Sequence, residues 1–208
     1  MELLFLNGKK IKSSGAHVDP EKDEIYVDGE KIVYSKYVYY MLNKPDGYVS
    51  ATEDNLYPTV IDLIKEYHPG LFPVGRLDVD TEGLLLITND GQLAHRLLSP
   101  RTHVPKTYYV KVKGRVGIGD INAFTKGIPL EDFTCMPAFL NIIKSDEISE
   151  CEVTIYEGKF HQVKRMFQAC GKEVVYLKRI SMGELKLDES LKLGHYRPLT
   201  DEEINSIL

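Results

Sequence analysis

The sequence between residues 74 and 91 reads VGRLDVDTEGLLLITNDG, and it carries the strongest indication of the fold. Residues 83–88 are an apolar run of strand length, and the turn signal Asn89-Asp90-Gly91 leads into a short helical pattern at residues 92–98. Polar residues precede the strand on a loop, which is a common location for active-site groups. The stretch therefore predicts a buried strand with a functional loop before it and a helix after it.

Two charged side chains on this loop form the first candidate site. Arg76 and Asp78 are two positions apart, so on an extended backbone their side chains point the same way. An arginine beside an aspartate keeps the carboxylate ionised and orients it, and a carboxylate that acts as a nucleophile needs both effects. An ordinary ion pair in a turn has the same spacing, so this pair alone does not distinguish catalysis from structure.

The remaining sequence predicts more strands than helices. Further strands are expected at residues 37–42, 107–112, 134–142, 150–156 and 174–180. Helices are expected at residues 59–67, from a Gly119-Asp120 cap to Lys126, at residues 160–169, and after a capping box formed by Thr200 and Glu203. Hairpins outnumber β-α-β units, which favours an α+β fold with a mixed, mostly antiparallel sheet and flanking helices.

Residues 1–35 differ from the rest of the chain. They contain short strand-like pieces, such as residues 25–27, separated by turn signals that include Asn7-Gly8, Ser13-Ser14-Gly15, Asp19-Pro20 and Asp28-Gly29. A piece of this size needs support to fold, since domains below about 40 residues seldom fold alone. We therefore expect a small first part, residues 1–35, and a main domain, residues 36–208.

The composition is that of a globular protein that binds no metal and spans no membrane. Hydrophobic residues make up 43% and charged residues 27% of the chain. No apolar run approaches the roughly 18 residues that a membrane-spanning helix needs, and the first residues lack the positive charge of a secretory signal. The three cysteines are far apart and the six histidines show no ligand spacing. These features favour reduced thiols, a cytoplasmic location, and neither a disulfide framework nor a metal site.

The distribution of charge indicates a phosphate-binding surface despite a net charge of −5. Two segments, residues 92–116 and 158–172, contain no acidic residue and several lysines and arginines. Such segregated basic stretches can hold a nucleic-acid backbone, although solvated lysines on an ordinary surface would give the same pattern.

Five sequence blocks resemble the motifs of the RsuA-type pseudouridine synthases. The first is GRLD at residues 75–78 followed by TEGLL at residues 81–85. The others are NKP at 43–45 with Gly47-Tyr48, KTY at 106–108, EGKFHQVKRMF at 157–167, and GHYRPL at 194–199. They occur in the family's order and cover residues 37–208. The pattern His95-Arg96, Ser99-Pro100-Arg101 and HQVKRM at 161–166 most resembles the branch that acts on small-subunit ribosomal RNA.

The resemblance implies a role for each matching residue. Asp78 corresponds to the nucleophile, and Tyr108 to the tyrosine that stacks on the base and assists proton movement. Lys164 or Arg165 corresponds to the basic group that pairs with the aspartate, and the motif register favours Lys164. The candidates for RNA contacts are Arg76, which would also help to flip the target base, and Arg96, Arg101, Lys106, Lys111, Lys113, His161 and Gln162.

The same resemblance sets expectations for cofactors and partners. The reaction needs no cofactor and no metal. The partner would be ribosomal RNA, free or within an assembling small subunit, and the protein would be a monomer without membrane association. Residues 1–35 resemble only the later half of a small S4-like RNA-binding domain, through NGK at 7–9 and the segment at residues 19–29. The helical first half of such a domain has no counterpart in the printed sequence.

Three alternatives stay open at this point. The substrate could be large-subunit ribosomal RNA, or the chain could bind RNA without catalysis. The sequence Asp78-Val79-Asp80-Thr81 also matches the D-x-D-T pattern of haloacid-dehalogenase-type phosphatases, in which two carboxylates hold magnesium. The scarcity of β-α-β units speaks against the phosphatase, because that motif belongs to a parallel sheet.

Overall fold

A computed structural model describes residues 4–11, 15, 17–19, 22–32 and 36–208. The chain divides into two compact units, Met1–Tyr37 and Val38–Leu208. No helix in these described ranges is long and apolar enough to cross a membrane.

The first unit contains a four-stranded antiparallel sheet with the strand order β2-β1-β3-β4. Two tight turns close its hairpins, and both turns have positive φ angles, at Asn7-Gly8 and at Asp28-Gly29, as such hairpins require. The strand predicted at residues 25–27 is confirmed. The residues Ser13, Ser14 and Pro20 of the other two turn signals lie outside the described residues. The strands are β1 (Leu4–Leu6), β2 (Lys9–Lys10), β3 (Ile25–Val27) and β4 (Glu30–Ile32).

The second unit is built on a nine-stranded sheet that confirms the predicted α+β class. The strand order is β13-β5-β7-β11-β8-β10-β9, with β6 added to β7 and β12 added to β11. Only the β7–β11 pair is parallel, so the sheet is mixed and mostly antiparallel. The strands are β5 (Tyr39–Lys44), β6 (Phe72–Pro73), β7 (Glu82–Thr88), β8 (Lys106–Lys113), β9 (Phe139–Lys144), β10 (Ile148–Ile155), β11 (Glu173–Met182), β12 (Leu185–Lys186) and β13 (Tyr196–Pro198).

Strand β7 lies in the middle of the hydrophobic core, as its continuous apolar run predicts. Leu84 and Leu86 pack into one core cluster, while Leu85 and Ile87 pack into another, and all four are fully buried. Both faces of the strand are therefore covered, which is why polar and apolar residues do not alternate along it. The loop before β7 is consequently attached to one of the most deeply buried elements of the unit.

Four α-helices accompany the sheet, and their caps explain where they begin. The Asp90 side chain accepts hydrogen bonds from the backbone N–H groups of Gln92 and Leu93. Thr200 and Glu203 form the predicted capping box, which satisfies N–H groups at the start of the last helix. The helices are α1 (Gly91–Leu98), α2 (Ile118–Lys126), α3 (Gln162–Ala169) and α4 (Asp201–Ile207).

The helix predicted at residues 59–67 is wrong. Only Val60–Leu63 are helical, as a single 3-10 turn, and Ile64 has extended backbone angles of φ −86° and ψ 119°. Asp62 accepts a hydrogen bond from the Thr59 N–H at 2.7 Å. Val60 is buried, and Ile64 packs against the core from the extended segment. The apolar residues thus reach the core without a helix, and local periodicity could not reveal this.

Two predicted boundaries also shift for identifiable reasons. The strand expected at residues 134–142 begins at Phe139, just after Pro137, which has no N–H to donate to a ladder. The helix expected from Phe160 begins at Gln162, because His161 adopts a left-handed conformation with φ 48° and ψ 30°. This second shift matters for the site, since it sets the direction in which α3 starts.

Candidate active site

Asp78 lies on the loop between β6 and β7, and backbone hydrogen bonds hold that loop in place. Ser50 Oγ donates to the carbonyl of Leu77, and the Leu77 N–H donates back to Ser50 Oγ, both at 3.0 Å. The Gly47 N–H donates to the Val79 carbonyl at 3.0 Å. The loop is therefore fastened immediately before and after Asp78, which limits the movement of its carboxylate.

Lys44 is a further anchor of this loop, and it was not among the predicted site residues. Its side chain is fully buried at the end of β5. Its ammonium group donates to the carbonyls of Pro45 at 3.0 Å, Val79 at 2.9 Å and Thr81 at 2.9 Å. An ammonium has three N–H donors, so all of them are used. The signal in the sequence was a lysine at the end of a mostly apolar strand, followed by a proline.

Burial lowers the pKa of Lys44 from 10.5 to about 8, and the carboxylates of Asp46, Asp80, Asp78 and Glu82 counteract this effect. The group is still mostly protonated at neutral pH. The loop carbonyls thus contact a buried positive charge, which attracts the carboxylates around the loop.

The carboxylate of Asp78 meets two cationic or titratable side chains of the α3 region. Lys164 Nζ lies 3.0 Å from Asp78 Oδ2, and His161 Nε2 lies 3.6 Å from Asp78 Oδ1. The side chains of Asp78 and Lys164 are 25% and 23% exposed, so the pair is half-buried but open to a ligand. An ion pair of this kind fixes the orientation of the carboxylate.

Lys164 is shared between two carboxylates. Its ammonium lies 2.6 Å from Asp80 Oδ1 as well as 3.0 Å from Asp78 Oδ2. Burial acts to lower the pKa of Lys164, but the hydrogen bonds to Asp80 and Asp78 outweigh it and raise the pKa above its ordinary value. Burial likewise acts to raise the pKa of Asp80, and the hydrogen bond from Lys164 lowers it. Lys164 and Asp80 are therefore both charged at neutral pH.

The structure separates the two basic neighbours on α3. Adjacent helical residues point about 100° apart. Lys164 contacts Asp78, whereas Arg165 forms an ion pair with Asp132, and its guanidinium carbon lies 5.4 Å from the centre of the Phe133 ring. Arg165 therefore does not share the Asp78 carboxylate.

Arg76 does not act on Asp78 as the sequence suggested. It is exposed, and among the residues described by the structure the Asp78 carboxylate forms an ion pair with Lys164 and contacts the His161 ring. The predicted Arg76–Asp78 pair is therefore wrong. The partners of the carboxylate are the N-cap and a residue of α3, more than 80 positions further along the chain. Arg76 is left available to a ligand at the same loop.

Two predicted RNA contacts turn out to be buried. Gln162 is 3% exposed; its amide donates to Glu157 Oε1 at 2.8 Å and accepts from the Lys159 N–H at 3.0 Å. Lys106 is 9% exposed and donates to the Val104 carbonyl at 2.7 Å. Both side chains are used inside the protein, so the expectation that they contact RNA is corrected.

Tyr108 lies on β8, in the centre of the sheet. It is 8% exposed and belongs to the main core cluster. In the strand register it is opposite Arg179 of β11 and Val153 of β10. A mostly buried tyrosine at this place offers a ring with restricted freedom, as a stacking partner should.

The remaining basic candidates are distributed over the surface. Lys111 lies over the Tyr176 ring at 5.9 Å, and Lys113 is 4.0 Å from Glu173. The exposed candidates are Arg76, Arg96, Arg101 and Lys113.

Comparisons with known proteins agree with the fold and with the motifs. The family model "RNA pseudouridylate synthase" matches residues 38–169. An RNA pseudouridine synthase of Bacillus subtilis named YtzG, described as uncharacterized, is 49% identical over 206 residues, which cover 97% of this chain and 86% of that protein. The ribosomal small subunit pseudouridine synthase A of Escherichia coli K12 is 42% identical over 210 residues, covering 99% of this chain and 89% of that protein.

A solved structure described as a pseudouridylate synthase superimposes with a TM-score of 0.77 at 42% identity, covering 99% of this chain and 89% of that one. The RsuA-type family predicted from the five motifs is thereby confirmed, and the phosphatase alternative loses its support. This chain belongs to the RNA pseudouridylate synthase family.

Proposed function

We propose that the protein isomerises a uridine of small-subunit ribosomal RNA to pseudouridine, with Asp78 as the nucleophile. The observation that carries this proposal is the half-buried Asp78–Lys164 ion pair at 3.0 Å. The loop that carries Asp78 is held by hydrogen bonds from the buried Lys44 ammonium to the carbonyls of Val79 and Thr81. The choice of the small subunit rests on the relatives that carry this name, at 42% identity over nearly the whole chain.

The chemistry follows from the charge and position of Asp78. A uridine in a stacked helix is inaccessible, so it must leave the stack to reach the carboxylate. The Asp78 oxygen forms a bond to C1′ of the ribose, and the C1′–N1 bonding pair leaves with the uracil. After the base has turned, C5 forms a bond to C1′, and the carboxylate departs with its electron pair. C5 loses its proton and N1 gains one, so the reaction needs neither an oxidant nor a second substrate.

Other side chains would support this sequence of steps. Lys164 would hold the Asp78 carboxylate in position before attack, and Tyr108 would stack on the uracil and assist proton transfer. Exposed and partly exposed basic side chains would hold the phosphate backbone and set the register of the RNA. We assign that role to Arg76, Arg96, Arg101, Lys111, Lys113 and His161, and withdraw it from the buried Lys106 and Gln162.

The remaining expectations belong to the same proposal. We infer that the substrate is ribosomal RNA in an assembling small subunit and that the protein acts as a monomer in the cytoplasm. Residues 1–35 would contribute affinity for RNA as an S4-like segment, ahead of a catalytic domain at residues 36–208.

The test compares pseudouridine maps of ribosomal RNA from cells with and without the gene, with the deletion complemented by wild type or by Asp78→Asn. We expect one small-subunit uridine to lose its modification and only wild type to restore it. In vitro, loss of a covalent nucleophile should lower the single-turnover rate by about a thousandfold or more.

The other outcomes decide between the alternatives. A change at a large-subunit position would keep the chemistry and refute the substrate. Full restoration by Asp78→Asn, or an unchanged map, would refute catalysis and favour an RNA-binding module.

A further inference from the structure

An exposed aromatic ring lies next to the candidate nucleophile. Phe160 is 74% exposed, and its ring is stacked on that of His161 with a centroid distance of 3.8 Å and an interplanar angle of 19°. His161 in turn places Nε2 at 3.6 Å from Asp78 Oδ1. The inner ring of this stack therefore contacts the Asp78 carboxylate, and the outer ring is exposed to solvent.

The backbone holds this pair in position at a conformational cost. His161 is the N-cap of α3 and has φ 48°, a conformation that non-glycine residues adopt only when surrounding structure enforces it. The enforcement comes from Gln162, which is buried and hydrogen-bonded to Glu157 and to the Lys159 N–H. The direction of the two rings is thus determined before any ligand arrives.

Ion pairs reduce the negative charge near the two stacked rings. The carboxylates of Asp80 and Asp132 are each ion-paired, to Lys164 and Arg165. Lys159 is exposed and forms no ion pair among the described residues, and its ammonium lies 5.9 Å from the centre of the Phe133 ring. Lys159 directly precedes Phe160 in the chain. An exposed aromatic ring with a cation next to it in sequence suits single-stranded nucleic acid, because the ring can stack on a base and the cation can meet a phosphate.

We propose that the Phe160–His161 pair is a stacking platform for an unpaired nucleobase adjacent to the target uridine. This inference rests on the proposed function, because it assumes that RNA reaches Asp78. The platform is separate from Tyr108, which is mostly buried and serves the target base. Since every base has an aromatic face, the platform contributes affinity and positioning and tolerates different sequences.

The chain offers a direct probe, because it contains no tryptophan. Phe160→Trp introduces a single fluorophore on the platform, in an Asp78→Asn background that prevents turnover. The probe ligands are a single-stranded uridine octamer and an abasic ribose-phosphate strand of the same length. We expect the octamer to quench the tryptophan along a saturable isotherm, and the abasic strand to leave it nearly unchanged.

A matched control uses Tyr67→Trp in the same background. Tyr67 is 89% exposed. Two residues earlier, the Lys65 N–H donates to the Tyr196 hydroxyl of β13, the strand at one edge of the sheet. Equal quenching at position 67, or equal quenching of position 160 by the abasic strand, would overturn the platform and leave only charge attraction.

Kinetics supply an independent readout. Phe160→Leu should raise KM for the RNA about tenfold with kcat nearly unchanged, and Phe160→Tyr should restore KM, since base–aromatic stacking contributes this order of affinity. An unchanged KM in Phe160→Leu would refute the platform. The catalytic proposal is tested separately, by the activity of Asp78→Asn. Activity that survives in Asp78→Asn would refute the proposed function instead.

Discussion

At the residue scale, Lys164 lies between two carboxylates and would therefore keep one charged partner during the proposed covalent step. When the Asp78 oxygen bonds to carbon, that carboxylate loses its charge, and a half-buried ammonium without a partner would be costly. Asp80, at 2.6 Å from Lys164, remains as its partner. In the proposed reaction, Asp80 would thus act as a positioning residue that stabilises the charge of Lys164.

We expect Asp80→Asn to lower kcat about tenfold with little change in KM, since one charge-assisted hydrogen bond contributes on that order. Single-turnover rates over a range of RNA concentrations measure the two effects separately. Asp132→Asn is the matched control: it removes the carboxylate that pairs with the neighbouring Arg165 and should leave kcat unchanged. A higher KM with an unchanged kcat would contradict this prediction and show that Asp80 contributes only to RNA affinity.

Lys44 supports the loop through its three hydrogen bonds to carbonyls. Lys44→Met keeps most of the apolar stem but leaves these buried acceptors without a donor, which should destabilise the protein by about 2–4 kcal/mol. Urea denaturation followed by circular dichroism measures the change. Stability equal to wild type would mean that the carbonyls find other donors.

The lowered pKa of Lys44 makes this difference depend on pH. Between the folded value of about 8 and the unfolded value near 10.5, the unfolded chain binds more protons than the folded one. The contribution of Lys44 to the free energy of unfolding therefore increases with pH in this window. The gap in stability between wild type and Lys44→Met should widen from pH 8 to pH 10, and a gap that narrows would contradict the pKa direction.

At the element scale, Gly83 allows β7 to lie beside β11 in the parallel part of the sheet. Its φ is +100°, and a Cβ there would lie 2.2 Å from the Arg179 carbonyl oxygen. Both the conformation and the contact exclude a side chain. Because this residue is the second of the strand that follows Asp78, separation of the two strands would also move the loop that carries Asp78.

Gly83→Ala should therefore destabilise the protein by about 3 kcal/mol or more and lower activity with it. Gly91→Ala is the matched control, since Gly91 lies in α1 with nothing within 4 Å of the added methyl and without a positive φ. That substitution should leave stability unchanged or raise it by about 0.5–1 kcal/mol. Denaturant midpoints measure both, and similar midpoints for the two variants would contradict the argument.

At the scale of the whole molecule, the two compact units differ in their cores. Among the residues that the structure describes, both hydrophobic clusters consist of residues of the second unit, Val38–Leu208. A protein that lacks residues 1–37 should therefore melt cooperatively near the wild-type temperature but bind ribosomal RNA more weakly, if the first unit contributes affinity as its S4-like resemblance suggests. Thermal melting and filter binding measure the two effects, and unchanged RNA affinity would refute the S4-like role.

Local signals in the sequence determined the fold class, the buried strand β7, helix α1 and the cap of α4. Each depends on residues within a few positions of one another, as in the capping box of Thr200 and Glu203. The five motifs also determined the family, which the comparisons confirm. Where a local pattern allowed two packings, as at residues 59–67, the sequence alone predicted the wrong one.

Tertiary structure decided which side chains surround Asp78. Its partner Lys164 lies on α3, and burial of Val163, Met166 and Phe167 sets the rotation of that helix. That rotation brings Lys164 to the carboxylate and Arg165 to Asp132. The ammonium of Lys44 likewise reached the loop only through the pairing of β5 with β7. Such contacts join distant parts of the chain, and no local periodicity encodes them.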